Sequence, residues 1–173
     1  MVIDKSERIV RDKREIKALL HLAHPKLISE QLEEWIEPYF NKFRFTGVLV
    51  RHPKLYFKLK NDYPNLQLYY AKGALNVEEI ISTHPGLHVL FYTFNTVKNI
   101  HTLRYNHLRH IFIGTKLENR IRTYDKSYRA YDEIWIKEPF LRKKIIKDVG
   151  DIRHLQIRVV EEELNLNDVI EIF

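Results

Sequence analysis

Six short runs rich in β-branched and aromatic residues, separated by stretches whose apolar residues recur every three or four positions, constrain this chain more than any other feature. The runs are 46–51 (TGVLVR), 66–70 (LQLYY), 88–94 (HVLFYTF), 110–114 (HIFIG), 133–136 (EIWI) and 155–160 (LQIRVV). Alternation between such runs and amphipathic segments predicts βαβ units. Several runs are almost continuously apolar, as strands covered on both faces require, so the sheet is expected to be mostly parallel. The predicted fold class is therefore α/β, an open, doubly wound, Rossmann-like sheet with helices on both faces.

The clearest helical stretch is 29–43, where Leu32, Trp35, Ile36, Tyr39, Phe40 and Phe43 fall at helical spacing. Ser29 is placed to cap it, and Pro38 predicts a kink or an early break, because proline lacks an amide donor. Pro53 and Pro139 each follow a predicted strand where a helix is expected to begin. Residues 3–21 read as a further helix or an arm. At 173 residues the chain fits one domain, 1–173, with 1–24 as a helical N-terminal arm.

The chain has no cysteine, which excludes disulfides, thiolate metal sites and cysteine nucleophiles. Charged residues break up the first twenty positions, unlike a signal peptide or a membrane span, so the expected location is the cytoplasm. Twenty-nine Lys and Arg against 23 Asp and Glu give a net charge of +6, which favours anionic partners without choosing among them. The nine histidines include no HExxH pair and no carboxylates at ligand spacing, so no metal is expected. No GxSxG elbow is present. The aromatic and basic stretch 122–129 has the composition of a stacking surface, but an amphipathic helix accounts for it more simply, and nucleic acid is not the expected partner.

In doubly wound sheets ligands bind beyond the carboxyl ends of the strands. That rule directs attention to Asn95, Lys98 and Asn99 after the third run; to Gly114, Thr115, Lys116, Asn119, Arg120 and Arg122 after the fourth; and to Lys137 and Glu138 after the fifth. The fourth exit is the most suggestive, since a glycine admits close backbone approach and the cations that follow suit phosphate oxygens. Gly114-Thr115-Lys116 nevertheless lacks the glycine spacing of a P-loop or a dinucleotide fingerprint.

Three segments between 88 and 146 carry a resemblance: HVLFYTFNTVKN, HIFIGTKLENR and RAYDEIWIKEPFLRKKI. They resemble the N-terminal domain of the CDP-glycerol glycerophosphotransferases, the teichoic acid polymerase-like enzymes of GT-B architecture. The resemblance implies an acceptor-side domain in glycerol-phosphate or sugar transfer to cell-envelope polymers. It also implies a nucleotide-activated donor or a phosphate-containing glycan as partner, a C-terminal nucleotide-binding domain or partner subunit, and contact with the inner face of the membrane. No bound cofactor is implied. Gly114, Thr115 and Lys116 would line the cleft, with Asn95, Asn99, Arg120 and Lys126 as phosphate or glycan contacts. The family has a histidine directly before Gly-Thr, where this chain has Ile113, and isoleucine transfers no proton. His110, three positions earlier and inside the predicted strand, is the nearest imidazole. The alternative is a non-catalytic module of the same fold that binds an anionic ligand or a protein.

Overall fold

A computed structural model describes residues 15–24, 32–115, 123–150 and 152–160. They form one seven-stranded sheet in which every pairing is parallel, built from β1 Ala18–Leu22, β2 Thr46–Val50, β3 Leu68–Tyr70, β4 Val89–Tyr92, β5 Arg109–Phe112, β6 Glu133–Ile136 and β7 Gln156–Val159. Their order across the sheet is β3-β2-β1-β4-β5-β6-β7, the doubly wound Rossmann-like order extended by one strand. All six predicted runs are strands.

The residues 18–22 correct one expectation. A helical arm is expected over 1–24, yet ALLHL is β1, paired with β2 on one side and β4 on the other. All five residues are buried, because helices cover both faces of the sheet. A short run with no polar face has no period that separates a strand from a buried helix. Residues 1–14 of the expected arm lie outside the described residues.

Side-chain alternation divides the core in two. Leu20, Val48, Val50, Phe91 and Ile111 face the helices Leu32–Phe40 and Pro53–Asp62. Leu19, Leu49, Leu90, Phe112 and Ile134 face the helices Ala74–Ser82 and Leu141–Val149. Chain direction between layers thus reverses at β1 and β4, the switch point where a crevice opens beyond the strands.

Pro38 lies inside a helix that ends at Phe40, short of the 43 read from the sequence, as the proline predicts. Leu32–Phe40 is π-helical, with the Asn41 amide reaching back five residues to Ile36 O at 2.8 Å. The helix stops two residues after the proline, and the Thr46 hydroxyl donates to Phe40 O and Phe43 O, satisfying carbonyls at its end. The expected Ser29 cap lies outside the described residues. No helix among the described residues is long and apolar enough to cross a membrane.

Candidate functional site

Parallel pairing puts every carboxyl end on one edge of the sheet, and a cluster of cations gathers there above β1, β2, β3 and β4. Arg51 directly follows β2 and is 2% exposed. Its Nε donates to Ala71 O at 2.6 Å, one amino group donates to Lys72 O at 3.3 Å, and the other donates to Lys98 O at 3.4 Å. It also donates to His101 Nδ1 at 2.8 Å and stands 3.5 Å from His21 Nε2. Carbonyls and imidazoles fill its donor fork, but none carries a negative charge. Among the described residues Arg51 has no carboxylate partner.

His21, the fourth residue of β1, is 1% exposed and packs edge-on against the Tyr92 ring. Its Nδ1 is buried and meets no hydrogen-bond partner among the described residues; the same holds for His52 Nδ1 beside Arg51. Burial pushes the His21 imidazole well below its ordinary value, and the charges of Arg51, His101 and Lys98 push it further the same way. His101 is lowered by burial first and then by Arg51, Arg104 and Lys98. Burial also lowers Arg51, against a smaller opposing effect of Tyr70. Each of these groups is destabilised in its charged form by its surroundings, as expected where a negative partner is missing.

The turn Val97–Asn99 and the helix Ile100–Leu103 hold Lys98 and His101 over this centre, while Lys72 supplies a carbonyl from the exit of β3. Lys72 and Lys98 are exposed. On the far side of the same helical segment a groove of ≈ 460 Å³ opens toward 125–130, lined by Asn95, Val97, Ile100, Asp125 and Ser127 among others.

The residues singled out from sequence divide between these regions. Asn95 donates to Ser127 Oγ at 2.6 Å and accepts from the Tyr131 hydroxyl at 2.9 Å. Asn99 is buried and donates to Phe94 O and to Tyr131 Oη. Both asparagines tie 125–131 to the exit of β4, and Lys126 stands exposed on that segment. Gly114 has φ +59°, a left-handed conformation that glycine adopts freely, and its carbonyl accepts the Trp35 indole N–H at 2.8 Å. Thr115 is 1% exposed. Beside it, the cavity walled by Trp35, Ile113, Trp135 and Lys137 has a free volume of ≈ 10 Å³, room for about one water. Lys116 and Arg120 lie outside the described residues.

His110 sits in the interior of β5 with both ring nitrogens engaged: Nδ1 is 2.8 Å from the Tyr92 hydroxyl and Nε2 is 3.1 Å from Tyr105 O. Burial lowers its pKa, partly opposed by the bond to the Tyr105 carbonyl. It faces the helix layer opposite Ile113 and joins a buried hydrogen-bonded network with Tyr92 and Thr102.

Sequence reasoning found Lys98 but missed His21, Arg51, Lys72 and His101. The signal for two of them was present: an arginine closing the apolar run GVLV and a histidine inside ALLHLA are charges placed where a parallel strand is buried. No group of three or more metal-ligating side chains stands together among the described residues, and the Arg51 guanidinium between two imidazoles repels a cation. No protein-family model matches the chain, and no curated protein matches it. The resemblance to the glycerophosphotransferases therefore rests on its three quoted segments.

Proposed function

We propose that this chain is a binding domain for a phosphate-bearing ligand, seated at the switch point of its doubly wound sheet. One observation carries the reading: Arg51 is a buried guanidinium with its donors satisfied and no carboxylate partner among the described residues. A buried charge without a counter-charge is costly, so a site that keeps one is suited to receive an anion. With its donors engaged, Arg51 acts on an anion through its charge, while Lys98 and His101 at the rim add charge and a further donor. The position agrees with where ligands bind in open parallel sheets.

The ligand class that joins this chemistry to the glycerophosphotransferase resemblance is a nucleotide-activated polyol or a phosphate-containing glycan. The arrangement supports the binding half of that role. Ile113 supplies no proton, and His110 is committed to the core.

The test is a thermal-shift series with pyrophosphate, CMP, glycerol phosphate and CDP-glycerol, each against chloride of matched ionic strength. A ligand at a hundredfold its dissociation constant stabilises the native state by about 2.7 kcal/mol. The expected result is stabilisation by at least one phosphate compound beyond the chloride control, reduced in Lys98→Ala and in His101→Ala. Equal response to phosphate compounds and chloride would overturn the reading.

A further inference from the structure

Every donor of Arg51 is engaged, so the atoms that hydrogen-bond an anion beside it belong to its neighbours. A guanidinium carries N–H donors and no acceptor, and whatever stands against it presents a lone pair. The carbonyls of Ala71, Lys72 and Lys98 do so in any surroundings. An imidazole does so in one tautomer only, because the neutral ring has one nitrogen with a proton and one with a lone pair. Arg51 therefore decides where the proton sits on each histidine that touches it.

At His101 the contact is through Nδ1, 2.8 Å from an amino group of Arg51, so Nδ1 accepts and the proton is on Nε2. At His21 the facing atom is Nε2, 3.5 Å from the other amino group, which leaves the proton on Nδ1. The two nitrogens of a ring face divergent directions, and both N–H groups turn away from the guanidinium. Neither meets a protein acceptor among the described residues. His21 Nδ1 is buried without a partner, and His101, half-buried on the helix Ile100–Leu103, makes its hydrogen bond to Arg51 alone. A second proton on either ring would set N–H against N–H, and burial together with the charges of Arg51 and Lys98 opposes it.

We infer that Arg51 is a positioning residue that holds His101 as a neutral imidazole, and that His101 Nε2–H, not the guanidinium, gives the hydrogen bond to the bound oxyanion. The inference rests on the phosphate site given under Proposed function and deepens it. A neutral N–H meets only an oxygen with a lone pair to offer, while Arg51 and Lys98 supply the charge that draws the ligand. The class selected is an oxyanion with unprotonated oxygens, above all the dianion of a phosphate monoester, which has three acceptor oxygens. Among the described residues Arg51 has no carboxylate partner that would take up the proton of a P–OH group. The Nδ1–H of His21 supports the same assignment, since a buried donor without an acceptor is costly unless an oxygen comes to it.

The experiment uses the full chain at about pH 8, where a phosphate monoester is a dianion. Long-range proton–nitrogen correlation spectra of the ligand-free protein report which ring nitrogen carries the proton. His101 is expected with its proton on Nε2 and His21 with its proton on Nδ1; the opposite tautomer at either ring, or an imidazolium, overturns the inference. Glycerol phosphate binding is then measured by titration calorimetry in two variants that separate the ring nitrogens. His101→Gln keeps an N–H donor near the place of Nε2, whereas His101→Asn keeps an acceptor near the place of Nδ1 and no donor beyond it. Affinity is expected to stay within about threefold in His101→Gln and to fall about tenfold or more in His101→Asn, the loss of one hydrogen bond to a charged group. Equal weakening in both variants, or none in either, overturns the inference, and the tautomer measurement stands without any variant. If glycerol phosphate fails to bind the unaltered chain although the tautomers are as inferred, the phosphate site falls and the ligand contact with it. If it binds while His101 carries its proton on Nδ1, the phosphate site stands and this inference alone falls.

Discussion

His21 carries a consequence for stability that follows from its position alone. Its imidazole is buried beside Arg51, and burial and like charge hold its folded pKa well below the unfolded value of 6.5. His101 and His110 are lowered as well. A histidine kept neutral in the native state binds fewer protons than in the unfolded chain once the pH falls below the unfolded value. Stability from these residues is therefore complete above 6.5 and declines as the pH falls toward the lowered folded values. Urea unfolding at stepped pH is expected to show the midpoint dropping below 6.5, with a shallower drop in His21→Gln; a flat profile through that window would contradict the assignment. At this scale the sequence made Lys98 legible, as a residue beyond a strand's carboxyl end. It was not legible for Arg51, because a residue's chemistry does not reveal that its partners are carbonyls from 20 and 47 positions away.

The strands β1, β2 and β3 approach closely at Gly47. A methyl group added there would lie 2.8 Å from the Tyr69 ring and 3.2 Å from Leu19, with strand backbone on either side limiting relief. Overpacking a well-filled core costs about 1–3 kcal/mol, so Gly47→Ala is expected to be destabilised by about that amount in chemical denaturation. A stability equal to the parent would show that Tyr69 has room to move. Element boundaries were legible to within a few residues, since EIWI is β6 as read and TGVLV is β2. Pro38 was legible as a disturbance but not in its form. A local rule announces the missing amide; it announces neither the π-helical form nor the bond from Trp35 to Gly114, 79 residues on.

Across the whole molecule, the assignment of 1–24 as an arm and the finding that Ala18–Leu22 is β1 make opposite predictions. An arm is dispensable; β1 separates β2 from β4 inside the sheet and contributes to both cores. Removal of residues 1–24 is expected to abolish cooperative thermal unfolding followed by circular dichroism, and a truncated chain that still melts cooperatively would contradict the sheet order. The amino-acid sequence by itself determined the α/β class, six of the seven strands, the parallel character of the sheet and the edge on which ligands are to be sought. Those follow from local periodicity, β-branched content and proline placement, which any short window displays. Tertiary structure alone decided that β1 lies inside the sheet between β2 and β4, and that His21, Arg51 and His101 converge at its carboxyl end. These residues lie far apart in the chain, and pairing order, not local pattern, brings strand ends together.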